Sequence, residues 1–195
     1  MFIKEIKKYS DNILPLKFYK FLERIGLSPN KLTLIALFFK ILVLYFFYNG
    51  QIVLGGIFIV CDYLFDYMDG TMARRLDKVT PFGTFYDTVL DRFFRTAGWP
   101  LSLAFGNIIT FKIAALVVAF NLLLIFSSSV VESYKLRHFP YMLNVFYLIP
   151  YGALLNQVEL FATLEAIVAF ILLIFNTITI IVLNFNYNSG SLKKR

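Results

Sequence analysis

Successive apolar runs of about 20 residues, each closed by a turn or a knot of charge, leave this chain few ways to fold. Of its 195 residues, 59% are apolar, and one helical bundle accounts for the whole length. The expected fold is an all-α polytopic membrane protein with six transmembrane helices, preceded by an amphipathic juxtamembrane helix. The spans are expected at about Lys31 to Tyr48, Gln51 to beyond Arg75, Pro81 to Phe105, Ile109 to Val131, Phe139 to Leu155 and Glu159 to Leu183. The fifth is short and carries Pro140 and Pro150. Three parts follow: residues 1–27 as the amphipathic segment, 28–184 as the transmembrane domain, and 185–195 as a basic cytoplasmic tail.

In the first part Leu14, Phe18, Phe21, Leu22 and Ile25 recur at helical spacing, with Lys17, Lys20 and Arg24 opposite. That pattern predicts a helix lying along a membrane surface and ending at Gly26. Ser28 and Pro29 suit the start of the first span, and Asn49-Gly50 is a tight uncharged turn after it. Lys40, in mid-span, must snorkel or find an acidic partner.

The net charge of +7 does not point to nucleic acid, because the cations sit at the ends of apolar runs. Lysines and arginines cluster before the first span, at Arg74, Arg75 and Lys78, at Lys135 and Arg137, and in the tail, whereas the opposite turns hold only Lys112. The positive-inside rule then predicts a multi-pass protein of the cell membrane with both termini cytoplasmic. The first apolar run begins near Leu32 after a lysine-rich segment, so no secretory leader is expected. One cysteine, Cys61, and one histidine, His138, exclude an internal disulfide, a thiolate cluster and a His-pair metal site.

The stretch from Asp62 to Asp91 holds six of the twelve acidic residues. Carboxylates near a membrane interior are costly and are rarely kept without a role. Asp66 and Asp69 share one helix face, and Asp87 and Asp91 share one face of the next. Folding the stretch as an antiparallel hairpin about residue 78 sets Asp69 level with Asp87 and Asp66 level with Asp91. Four facing carboxylates repel unless cations neutralise them, and all-oxygen ligands suit magnesium or manganese. A cup of this kind, open to the cytoplasm, predicts a two-metal site for phosphoryl transfer. Gly70 and Gly83 leave room for a base or a diphosphate to reach the backbone, and Arg74 can fork onto phosphate oxygens. The same depth count sets Asp62 level with Arg95 and predicts an ion pair, with a further metal-facing carboxylate as the rival reading. Arg75 points about 100° from Arg74 and reads as a cytoplasmic anchor.

The pattern Asp66-x-x-Asp69-Gly70-x-x-Ala73-Arg74, eight residues, then Gly83-x-x-x-Asp87-x-x-x-Asp91, resembles the full signature of the CDP-alcohol phosphotransferase family. Pro29-Asn30 before the first span and the six-span layout are also similar to that family. The resemblance implies transfer of a substituted phosphate from a CDP-linked lipid donor to a polar alcohol, with release of CMP. It places one divalent cation on Asp66, Asp69 and Asp87, and a second among Asp66, Asp87 and Asp91. Asn30, Asp66, Asp69, Gly70, Ala73, Arg74 and Gly83 would bind CDP, and Asp91 would be the general base. A homodimer in contact with membrane lipids is implied as well.

Ser133-Tyr134-Lys135-Leu136-Arg137 is similar to the Ser-Tyr-x-x-Ala-Arg stretch of the branch that uses inositol phosphate, with Leu136 replacing the alanine. On that reading Lys135 and Arg137 bind an acceptor phosphate; as a bland alternative they cap the span on its positive side. Glycerol phosphate, serine and ethanolamine are the other acceptors open to the same chemistry. From another class, a divalent-cation transporter also keeps acidic residues in the membrane, yet it leaves Gly70, Ala73, Arg74 and Gly83 at fixed offsets unexplained. An intramembrane prenyltransferase would show a second Asp-rich cluster, and none exists outside Asp62–Asp91.

Overall fold

The structure, a computed structural model, describes residues 14–133 and 147–188. Lys135, Arg137, the first part of the expected fifth span and the tail cations lie outside the described residues. All regular structure described is helical: α1 (Leu16–Arg24), α2 (Pro29–Tyr48), α3 (Ile52–Arg75), α4 (Pro81–Phe93), a π-helical turn (Phe94–Gly98), α5 (Trp99–Phe105), α6 (Phe111–Ser133), α7 (Ile149–Leu154) and α8 (Val158–Asn188). Three of these are long and apolar enough to cross a membrane: α2 over its whole length, α6 over Phe111–Val131 and α8 over Val158–Val182. In α3, 24 residues long, Asp62, Asp66 and Asp69 interrupt the apolar run. The segment expected as the third span is α4, the π turn and α5 in succession. The irregular turn precedes Pro100, whose ring excludes the normal helical carbonyl four residues back. The expected sixth span continues past Leu183, as α8 runs on to Asn188.

Five helices stop by one device. A residue of left-handed backbone follows the helix, and the next N–H reaches back to a carbonyl five residues earlier. The left-handed residues are Gly26, Gly50, Asp77, Asn107 and Asn156. The closing bonds are Leu27 to Leu22 (3.0 Å), Gln51 to Phe46 (2.9 Å), Lys78 to Ala73 (2.8 Å), Ile108 to Leu103 (2.9 Å) and Gln157 to Gly152 (2.8 Å). Glycine and asparagine tolerate that backbone best, and aspartate tolerates it better than most residues.

The chain divides into two compact units. One takes in the chain up to Val43 together with Ile57–Arg92. Here α2 buries Leu32, Ala36, Lys40 and Val43 and exposes Leu34, Phe38 and Ile41. This is one inward stripe on a helix that is apolar all round, as a lipid-facing helix requires. Phe39 stacks on Phe58 and Phe65, with ring centroids 5.9 and 5.3 Å apart, which joins α2 to α3. Tyr19 and Leu22 of α1 form a buried cluster with Leu32 and Met72, against which Leu14 and Phe18 also pack. The apolar face expected of α1 is therefore shared between two directions: Phe21 and Ile25 are each 57% exposed. Arg75 donates to the Leu14 carbonyl (3.3 Å), and Lys78 pairs with Glu23. These contacts tie α1 to the end of α3.

The other unit comprises Leu44–Gly56 and the chain from Phe93 onward. Its long helices α6 and α8 meet along buried polar residues. The Asn121 side chain donates to Glu165 Oε1 (2.8 Å), and Asn176 donates to Ser127 (3.0 Å) and Ser128 (3.1 Å). Glu165 Oε2 accepts the N–H groups of Leu148 (2.7 Å) and Ile149 (3.1 Å), capping α7.

Candidate active site

The site is built on the α3–α4 hairpin. α3 buries residues at intervals of three and four, among them Ile59, Asp62, Asp69 and Met72, with Asp66 half-buried on the same stripe. The turn closes on Asp77, and α4 starts where the Thr80 hydroxyl accepts the Gly83 N–H (3.0 Å), with Pro81 in the first helical position. This connection brings Asp87 of α4 back beside Asp66 and Asp69 of α3.

Carboxylate oxygens of Asp66, Asp69 and Asp87 all lie within 4.8 Å of one another. At an effective dielectric constant of about 20, charges at that spacing repel by about 3 kcal/mol per pair. One Asp69 oxygen, Oδ2, is buried and accepts no hydrogen bond in the structure. Three convergent hard oxygens, with an unbonded carboxylate oxygen on one of the three residues, fit a divalent cation such as magnesium or manganese. Asp91 is not in that group of three. Its Oδ1 lies 3.0 Å from Lys40 Nζ.

Lys40 reaches the site from α2. It is 2% exposed, hydrogen-bonds Asp62, which is fully buried, and lies 3.9 Å from Asp66. Asp62, matched by sequence depth to Arg95, accepts a hydrogen bond from the Lys40 ammonium. The sequence shows that Lys40 needs an acidic partner; it does not show that one ammonium touches three carboxylates. The signal was partial, since Lys40 stands nine residues before Asn49 and Asp62 twelve after Gly50, nearly one helical turn from level.

The remaining predicted residues surround this core. Gly70 and Ala73 are half-buried on α3, and Arg74, exposed, donates to the Thr71 hydroxyl at 3.3 Å. A Cβ at Gly70 would meet the Arg74 guanidinium at 3.2 Å, so the glycine leaves that side chain space to move. A Cβ at Gly83 would come within 2.9 Å of the Thr80 hydroxyl and disturb the cap that starts α4. Asn30 is exposed in the first turn of α2. Nothing in the described residues bears on Lys135 or Arg137.

Comparison with known proteins agrees with this arrangement. The sequence profile of the CDP-alcohol phosphatidyltransferase family matches residues 27–187, which takes in the whole Asp66-to-Asp91 pattern. An archaetidylinositol phosphate synthase of Pyrococcus horikoshii is 33% identical over 97 residues, 50% of this chain and 51% of that protein. A phosphatidylinositol phosphate synthase of Streptomyces avermitilis is 38% identical over 76 residues, 38% of this chain and 31% of that one. The chain thus spans about half the length of the first of these curated relatives and less than a third of the second. The fold is shared with the phosphatidylinositol phosphate synthase of Mycobacterium tuberculosis, whose crystal structure contains CDP-DAG. The TM-score is 0.60 at 21% identity, covering 85% of this chain and 92% of that one. With the profile running over most of the chain, this protein belongs to the CDP-alcohol phosphatidyltransferase family.

Proposed function

We propose that this chain transfers a lipid-bearing phosphate from a CDP-linked lipid to the hydroxyl of a polar alcohol, inositol phosphate first among them, and releases CMP. The observation that carries the reading is the convergence of Asp66, Asp69 and Asp87 on one point, inside a family match covering most of the chain. The names of the synthases above support inositol phosphate as acceptor, and the CDP-DAG bound to the Mycobacterium tuberculosis protein supports the donor. Lys135 and Arg137 would hold the acceptor's phosphate.

In this reading Asp66, Asp69, Asp87 and Asp91 hold two divalent cations. When bound, these supply charge neutralisation for the diphosphate and for the departing CMP. Arg74, with Gly70 and Ala73 on the same helix, grips and orients the CDP portion beside Asn30 and Gly83. Asp91 takes the proton from the acceptor hydroxyl. The acceptor oxygen then bonds to the lipid-side phosphorus, the bond to the bridging diphosphate oxygen breaks, and CMP leaves with that electron pair.

The same reading places six spans in the cell membrane, with α3, residues 81–105 and residues 139–155 counted as crossings in addition to α2, α6 and α8, and the site facing the cytoplasm. Exposed Phe21 and Ile25, next to exposed Lys20 and Arg24, support a surface-lying α1. The family resemblance supports a homodimer. The test is CMP release from CDP-diacylglycerol, and from its ether analogue, with inositol phosphate, glycerol phosphate, serine and ethanolamine supplied separately. Release stimulated by inositol phosphate above the others is expected. No metal-dependent release with any acceptor would overturn the proposal.

A further inference from the structure

Lys40 is 2% exposed in the middle of an apolar helix, a costly place for an ammonium. It hydrogen-bonds buried Asp62 and lies 3.0 Å from Asp91 and 3.9 Å from Asp66. Asp62 is outside the signature pattern, and Lys40 is on a different helix from every signature carboxylate. We infer that Lys40 is a positioning residue and the site's built-in cation: with Asp62 as its anchor, it fixes where Asp91 sits and how much charge the cluster has left for divalent ions.

Charge shows what the lysine does. Lys40 sets one positive charge against Asp62, Asp66 and Asp91, and Asp66 also belongs to the group that converges with Asp69 and Asp87. Without Asp62 the ammonium would spend its charge on Asp66 and Asp91 and repel an incoming cation. Without Lys40, the carboxylates around it would lose that positive charge and hold divalent ions more tightly. A shorter or neutral side chain at 40 would also free Asp91 from its contact. The aromatic stack of Phe39 on Phe58 and Phe65 fixes the α2–α3 register that brings Lys40 to this depth.

The inference rests on the metal-dependent reading above, and its test needs no turnover. Manganese binding is titrated on the full chain in detergent, without substrate, for the parent, Lys40→Met, Asp62→Asn, the double variant and Lys40→Arg, with thermal stability alongside. Removing or adding one charge within a few ångströms of a divalent ion should change its affinity by about tenfold or more. Lys40→Met should bind manganese at least about tenfold more tightly and Asp62→Asn about tenfold more weakly, while the double variant returns to within a few fold of the parent. Lys40→Arg, which keeps the charge, should stay near the parent in affinity. If Lys40→Met does not fold, the comparison of Asp62→Asn with the double variant decides. Recovery on removing a second residue follows from charge and not from damaged packing. A double variant as weak as Asp62→Asn would make Asp62 a metal ligand and overturn the inference, as would unchanged affinity in Lys40→Met. A chain that shows the charge pattern but releases no CMP would sink the proposed reaction alone; a chain that releases CMP without the pattern would sink this inference alone.

Discussion

Asp91 differs from its neighbours in what it touches. Asp66, Asp69 and Asp87 converge on one another, while Asp91 is steered toward Lys40. In the proposed reaction Asp91 takes the proton from the acceptor hydroxyl, and the Lys40 contact fixes where it sits. Replacing it by asparagine keeps the shape and removes the proton acceptor. Asp91→Asn is therefore expected to lower CMP release by at least about a hundredfold, the usual scale of a lost general base, with CDP binding kept within a few fold. Turnover near that of the parent would remove Asp91 from the role. The three convergent carboxylates bear a second prediction. Cations bound only by the folded site stabilise it by about 2.7 kcal/mol at a hundredfold excess over Kd. Chelation should therefore lower the thermal midpoint, and Asp69→Asn should abolish most of that difference. A midpoint indifferent to chelator would argue against a metal at this spacing.

Among the elements, α7 shows how a short helix survives in an apolar bundle. Six residues cannot hold a helix by themselves; Glu165 of α8 fixes its first N–H groups while Asn121 of α6 satisfies the other carboxylate oxygen. Glu165→Ala leaves three buried donors without an acceptor and should cost about 2–3 kcal/mol, read as earlier thermal unfolding in detergent. CMP release per folded molecule should be unchanged, because Glu165 belongs to the unit that does not hold the carboxylate cluster. The helix ends show where sequence is informative. Gly26 and Asn49-Gly50 announce a stop, since few other residues take left-handed backbone. Asp77, Asn107 and Asn156 do the same work, yet each residue type is as common at caps and in solvent, so their role emerges only from the fold. The carboxylate pairing was legible because helical spacing and one turn set relative depth. A count about the Asn49-Gly50 turn sets Lys40 level with residue 59, nearly a turn from Asp62, and a count gives level and not direction, so the reach of a long lysine side chain to three carboxylates was not legible. The mixed orientation of α1 was hidden for a related reason. A pattern shows which residues are apolar, and Phe21 and Leu22 differ only in what the fold sets against them.

For the molecule as a whole, the open structural question is how many helices cross the bilayer. Length and apolarity alone select α2, α6 and α8. α3 has 24 residues, about 36 Å at 1.5 Å each, enough for about 30 Å of hydrocarbon. Its carboxylates cost less than isolated charges would, because the Lys40 ammonium lies against Asp62 and Asp66. The succession of α4, π turn and α5 covers residues 81–105 and is long enough to return. The two counts place Lys78 and Lys112 differently. If only α2, α6 and α8 cross, both lysines lie between the first and second crossings and share a side. With six crossings, residues 81–105 separate them, Lys78 in the cytoplasm beside Arg74 and Arg75, Lys112 outside. Both lysines are exposed, so the difference can be read by chemistry. With Cys61 replaced by alanine, a single cysteine at 78 should react with an impermeant maleimide only once the cytoplasmic face is opened. One at 112 should react in intact cells. Equal reactivity from the same side would reduce the bundle to three crossings and leave the carboxylate hairpin outside the hydrocarbon. In that case Lys40, in the middle of an apolar crossing, would be paired with a helix that does not enter the hydrocarbon.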